Sequence, residues 1–472
     1  MKKLSKFLDS LDSWLIFATP VAVFFSYYPV IRLGATESTN LELSLPLILL
    51  FLLGLLSIRR LGTVWRRIGA RKFLTSAIIP IYISLSILWS PNKLRGILVA
   101  GIVWLIWLVA ANVLFGRKLK SSEIRKLVKI YLRTAVVFAL LCLIQCLLDV
   151  FGVARDYTLL CQGCTYQTFG FPHPNGLAIE PQFMGNLLLI PCIISIFIFF
   201  YNIKGHKCKR EIWKSFGLTI FLVMVLYVVF SRGAIYSFVI AAAGMFIYFL
   251  TQKKSTKTLV IPGAILVAFG LALVFQGTLA AISPTAEGFS EGIARSINQM
   301  SLGIIDLRKP VAEEVIESDN NSTFDGYVEE STEIRLSLNE VAFKAWQKSP
   351  IFGVGIGGAG VAIHNIDNNY SAKEIVQNEY ISILLELGVV GLALVVAGII
   401  WLVYFEFKQQ NMINLAAITA YLISLCFFSG LPNVLHIYLL MPMLGKSKDK
   451  YFMVKYENEQ VNRRPSKKGS KT

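Results

Sequence analysis

The chain has 472 residues, of which 55% are hydrophobic and only 16% charged; its mean hydropathy is +0.60 and its net charge +17. An average soluble domain is roughly 25% charged, whereas here the apolar residues fall in unbroken runs of about 18 to 25, the length that crosses a bilayer as helix. A soluble enzyme, a disordered chain and a disulfide-stapled secreted domain are excluded.

In chain order the apolar runs are 14–31, 41–58, 73–90, 95–115, 130–152, 182–203, 215–230, 233–251, 259–282, 378–405, 412–431 and a short one at 433–445, bracketed by Pro432 and Pro442. Backbone groups in lipid must be satisfied within the segment, so runs this long span as helices. The pattern predicts an all-α polytopic membrane protein with about 12 transmembrane helices. Residues 1–282 hold helices 1–9, 283–376 form one large external loop, 377–445 hold helices 10–12, and 446–472 form a basic tail.

Lysine and arginine counts in alternate loops set the orientation. With the N-terminus inside, 34 of the 46 basic residues fall in inside segments and 12 outside, most of those in the long loop. Both termini are therefore expected in the cytoplasm, and the positive charge reads as an orientation signal rather than a nucleic-acid site. The first run has no small-residue cleavage site and is followed by more membrane helices, so it is expected to stay as an anchor. A plasma membrane, most simply a bacterial inner membrane, is the expected location. Of the seven cysteines, Cys161 and Cys164 are expected outside, where a disulfide can form as a loop staple.

The external loop 283–376 is acidic, with 14 Asp and Glu against 7 Lys and Arg. From about 311 to 333 it reads as a polar surface segment. From Thr332 it turns helical, with Ile334, Leu338, Val341, Ala342, Ala345 and Trp346 at three- and four-residue spacing. That helix should stop at Ser349–Pro350, because the residue before a proline disfavours helix. The turn IFGVGIGGAG (351–360) follows. Its literal GxGxxG lacks a βαβ context, so it reads as a flexible connector with left-handed turns and not as a dinucleotide site. No Walker loop, zinc spacing or nucleophile elbow is present, the four histidines are scattered, and no cofactor or metal is expected.

Arg232 sits in VVFSRGAIYSF, between two apolar runs with almost no loop between them. Such an arginine is either a snorkelling anchor or a functional group. Its predicted place on the outer face, against the positive-inside bias, favours function. Arg335, on the loop helix, is expected on the same side. Two guanidiniums near one surface can hold a diphosphate through bidentate hydrogen bonds; alone, Arg335 would read as a solvated residue paired with Glu333 or Asn339.

Three blocks in order resemble the O-antigen ligase and O-antigen polymerase superfamily (the Wzy/WaaL type): the SRG at a helix start, the E-I-R helix with A-W-x-x-S-P-I-F-G-V-G-x-G-G (345–358), and Q-N-E-Y-I-S-I-L-L-E-L-G-V-V-G (377–391). The last is similar to that superfamily's His-Asn pair, nine residues, then G-x-x-G, here Gln377, Asn378, Gly388 and Gly391. The resemblance covers roughly 160–445. It implies a metal-independent, membrane-embedded glycosyltransferase of the C type, passing glycan from an undecaprenyl diphosphate carrier to an acceptor hydroxyl at the outer face. Surface polysaccharide, lipopolysaccharide or exopolysaccharide synthesis is the implied setting, the partners being the lipid-linked glycan donor, an acceptor glycan or lipid, the bilayer and polysaccharide assembly proteins. It also implies that Arg232 and Arg335 occupy the diphosphate-binding positions.

The sequence departs from that pattern at Gln377, where ligases carry histidine, since glutamine takes no proton. His364, Glu379 and Glu180 are the candidate replacements for a base, while Gln377 and Asn378 can still orient a hydroxyl or phosphate oxygen. The departure favours chain polymerisation over ligation. GFPHPNGLAIEPQF (170–183) resembles the superfamily's proline-asparagine and glutamate-proline segment, where His173 and Glu180 are candidates to touch sugar hydroxyls; the same residues also read as a rigid turn. The alternatives are a transporter or flippase of lipid-linked oligosaccharides, against which the lack of internal repeats counts, and a non-enzymatic assembly scaffold.

Overall fold

The computed structural model describes residues 2–26, 28–36, 39–117, 119–151, 174–178, 180–204, 208–252, 259–282, 289–301, 305, 323–427 and 439–440. These are mostly helical. Among the described residues eight helices are long and apolar enough to cross a membrane, and ten such spans result if two bent helix pairs each count as one. The expected crossing at 433–445 lies outside the described residues except for Leu439 and Leu440, as does the loop with Cys161, Cys164 and His173.

Helix α1 (Lys2–Ala22) runs on through a 3-10 turn to Phe25 and ends before the expected 31. The chain then forms an antiparallel hairpin, β1 (Pro29–Ala35) with β2 (Asn40–Ser44), a small exception to the all-α expectation. Helix α2 (Leu45–Ile58) bends 68° into α3 (Leu61–Ile68). The run 73–90 is also broken, into α4 (Ala70–Ser76) and α5 (Ile78–Ser86), bent by 43°. Pro80, in the first turn of α5, has no N–H to reach back to the Ser76 carbonyl.

Helices α6 (Lys93–Ala111) and α7 (Ser121–Val150) complete the first half. Helix α8 (Pro181–Lys204) is the axis of the second, buried almost without exception from Met184 to Tyr201. Helices α9 (Lys209–Val228), α10 (Arg232–Gln252) and α16 (Met412–Ser424) surround it together with α7. A helix apolar on every face is one that neighbours enclose. Between α10 and α16 in sequence come α11 (Val260–Ile282), α12 (Phe289–Met300), α13 (Thr323–Gln347), α14 (Ala359–His364) and α15 (Glu379–Lys408).

Ion pairs gather at one end of the first half. Asp9 accepts from Arg59 at 2.9 Å and Arg60 at 2.8 Å. The fully buried Asp12 lies 3.2 Å from both Arg60 and Arg117, and Arg117 also meets Glu123 at 3.3 Å. These residues come from three segments that the charge count puts on one side. The glycine-rich turn packs at the far end of α6, against Ser90 and Gly96. The 19 residues of α6, about 28 Å of helix, separate the two.

Candidate functional site

Only Val229–Ser231 separates α9 from α10. The turn needs Phe230 at φ +55°, a left-handed conformation that costs a residue with a side chain about 1–2 kcal/mol. Ser231 then caps α10 by accepting from the Ala234 N–H at 3.4 Å, and Arg232, half-buried, opens the helix. Two close approaches hold this corner. Gly185 of α8 faces Ser231 and Ala234, and Gly233 faces the side chain of Phe427, in the turn after α16; a Cβ on Gly233 would lie 2.9 Å from the Phe427 Cβ.

Helix α13 starts at Thr323, nine residues before the expected Thr332, and ends at Gln347 close to the expected stop. Its buried stripe of Leu338, Val341, Ala342 and Ala345 packs with Ile363 of α14, Leu385 of α15 and Val376. Arg335 lies about a turn before that stripe and points at the other helices, donating from Nη2 to Gln182 Oε1 at 3.1 Å. Gln182 Nε2 donates in turn to the Phe427 carbonyl at 2.6 Å. Arg335 therefore connects through Gln182 and Phe427 to the corner that carries Arg232.

The C-terminal end of α16 is where these elements meet. A helix end leaves its last carbonyls without intrahelical partners. Those of α16, from Tyr421 to Ser424, are taken by the N–H groups of the turn that follows and by Tyr380 OH. The next three carbonyls, in that turn, are taken by other segments: Leu425 by the Glu379 N–H at 2.9 Å, Cys426 by Asn378 Nδ2 at 3.1 Å, and Phe427 by Gln182 Nε2. Asn378 also caps α15, its Oδ1 accepting from the N–H groups of Tyr380 and Ile381. Below this level α8 and α16 are joined by buried polar bonds, Ser424 Oγ to Asn186 Oδ1 at 2.5 Å and Tyr421 OH to the Asn186 carbonyl at 2.9 Å. Such bonds join helices in a membrane, where apolar contact alone is weak.

The glycine-rich turn is not the flexible connector expected. It is a buried wedge. Helix α15 breaks at Gly388, at φ +67°, and the turn pairs with the opened backbone: Val354 N–H to the Leu385 carbonyl, Gly355 N–H to that of Glu386, Val389 N–H to that of Pro350. Side chains of the first half seal the other side, with Ser90 Oγ donating to the Ile356 carbonyl, Ser86 Oγ accepting from the Ile356 N–H, and Tyr82 OH donating to the Leu387 carbonyl.

Of the remaining candidates, Gln377 is half-buried beside Asn378, and Glu379 is half-buried in the first turn of α15. His364 Nδ1 lies 2.7 Å from the Tyr370 carbonyl. A carbonyl only accepts, so Nδ1 carries the proton in the neutral ring and Nε2 keeps its lone pair. Tyr370 OH in turn bonds Ser337. Ser337 and Arg335 are about 200° apart around α13, so this link reaches the opposite flank of that helix from Gln182. Glu180 is exposed just before α8, its carbonyl accepting from Phe183 and Met184. The preceding turn is rigid, since the buried Gln145 of α7 holds Gly176 by both its N–H and its carbonyl, at 2.8 and 2.7 Å.

Sequence reasoning missed Gln182 and Phe427. Gln182 stands within the 170–183 segment, but its partners are 153 and 245 positions away, and no local spacing reveals such a contact.

The fold and site define a multi-pass helical membrane protein with two arginine-bearing helix segments assembled about one helix end. The O-antigen ligase family model matches residues 217–396, from α9 into α15, which supports the resemblance to the O-antigen ligase and polymerase superfamily. The match takes in Arg232, Arg335, Gln377, Asn378 and the glycine wedge, and leaves out Gln182. No curated protein matches the chain.

Proposed function

We propose that the protein is a glycosyltransferase that polymerises glycan carried on undecaprenyl diphosphate at the outer face of a bacterial plasma membrane, without a metal. The observation that carries this reading is the chain from Arg335 through Gln182 to Phe427, which packs on the helix start bearing Arg232. In the reaction the acceptor hydroxyl oxygen attacks the anomeric carbon of the donor sugar, and the bond from that carbon to the diphosphate oxygen breaks. Negative charge grows on the leaving diphosphate, and Arg232 and Arg335 stabilise it as it develops. The hydroxyl proton passes to a base, for which His364, Glu379 and Glu180 are the candidates, while Gln377 and Asn378 orient the acceptor or a phosphate oxygen.

The experiment is reconstitution in liposomes with a synthetic undecaprenyl-diphosphate oligosaccharide and analysis of product length. Wild type is expected to lengthen the glycan without added divalent metal and in the presence of chelator. Arg232→Ala and Arg335→Ala are each expected to lose at least a hundredfold in rate while the protein remains folded and in the membrane. Wild-type chains from both variants would refute the assignment, and transfer of a single unit to a lipid acceptor would show a ligase.

A further inference from the structure

We infer that Gln182 is a positioning residue that fixes the Arg335 guanidinium for the donor diphosphate, an inference that rests on the diphosphate reading of the site. Gln182 is the second residue of α8, after Pro181, and its amide is used at both ends, the oxygen by Arg335 Nη2 and the nitrogen by the Phe427 carbonyl. The chemistry of the two partners fixes the amide's orientation. A guanidinium only donates and a carbonyl only accepts, so the side chain between them must present an acceptor to one and a donor to the other. Glutamine is neutral and does both. A glutamate in its place would hold Arg335 but face the Phe427 carbonyl with a second acceptor, and a lysine would hold the carbonyl but repel Arg335.

The anchorage of Gln182 is stiff. One turn along α8, Asn186 is tied to Ser424 and Tyr421 of α16, and Gly185 presses on Ser231 and Ala234 at the Arg232 corner. The carbonyl that Gln182 holds is adjacent in the chain to the one that Asn378 holds. Arg335, on a long helix of the external loop, is thus referred to the same helix end that orders Arg232 and the Gln377–Asn378 pair. A long flexible side chain placed beforehand loses less freedom on binding, so the gain should appear in donor affinity.

The test measures binding of undecaprenyl diphosphate to the purified protein in detergent, with melting temperature alongside. Gln182→Met keeps the volume and removes both hydrogen bonds. It is expected to weaken binding about tenfold in the wild-type background and to change nothing in an Arg335→Ala background, because it acts through that arginine. Gln182→Glu gains an ion pair with Arg335 and loses the Phe427 bond, so it is expected to keep the melting temperature close to that of wild type and yet weaken binding, its carboxylate competing with the diphosphate for Arg335. A residue that only stabilises the fold would move both readings in one direction. Wild-type affinity for Gln182→Met, or an equal loss in both backgrounds, would overturn the inference while leaving the arginine assignment intact. Wild-type affinity for Arg335→Ala would overturn that assignment and this inference with it.

Discussion

Asn378 shows how much of the site rests on single side chains. Its Oδ1 caps α15 and its Nδ2 holds the Cys426 carbonyl at the end of α16. Loss of a capping asparagine costs about 1 kcal/mol, and here a bond between helices is lost with it. Asn378→Ala is therefore expected to lower the melting temperature measurably, and Asn378→Asp, which keeps the capping oxygen, to lower it less. Gln377, beside it, makes no side-chain hydrogen bond among the described residues. Gln377→Ala is expected to leave the melting temperature unchanged and to slow glycan transfer less than Arg335→Ala does, since no proton is at stake at that position. A hundredfold loss of rate for Gln377→Ala would reverse this ranking. The pair was visible in the sequence because motif residues are adjacent. Gln182 was not, because its role is defined by two partners far along the chain.

Helix α15 makes the same point one level up. The G-x-x-G at Gly388 and Gly391 and the glycine-rich stretch at 351–360 both stood out in the sequence, but their relation did not. The helix opens at Gly388, and the freed carbonyls of Leu385 and Glu386 are taken by the N–H groups of Val354 and Gly355. What reads locally as flexible is held by backbone pairing, which leaves no periodicity to detect. A side chain at Gly388 would adopt a strained φ and collide with the Ile351 carbonyl. Gly388→Ala is thus expected to be among the most destabilising single changes in the protein, with the yield of folded material from detergent extraction falling severalfold. Wild-type yield and melting temperature for that variant would mean the wedge is not needed. The β1–β2 hairpin and the break before Pro80 are equally hidden, since the first half of the chain carries no motif and hydropathy does not register a bend within an apolar run.

At the scale of the molecule, hydropathy and charge said most about the arrangement. Three of the segments expected inside on their lysine and arginine content are joined at one end by Asp9, Asp12, Arg59, Arg60, Arg117 and Glu123. The glycine wedge sits at the other end of α6. Which end faces the cytoplasm is then a single binary question, for which the positive-inside rule predicts that the ion-paired end is inside. Cys208, exposed at the start of α9, belongs to the end expected inside, and Glu340, on the exposed face of α13, to the end expected outside. Glu340 pairs with Lys344 at 2.7 Å, which holds its carboxyl below the usual carboxylate range; the pair is at the surface and adds little to stability, so the position tolerates replacement. In a background with all other cysteines removed, a membrane-impermeant maleimide applied to intact cells is expected to label Glu340→Cys and spare native Cys208, with both labelled after lysis. The opposite pattern would put Arg232 and Arg335 in the cytoplasm, where an outer-leaflet donor cannot reach them, and would refute the proposed reaction without disturbing the fold.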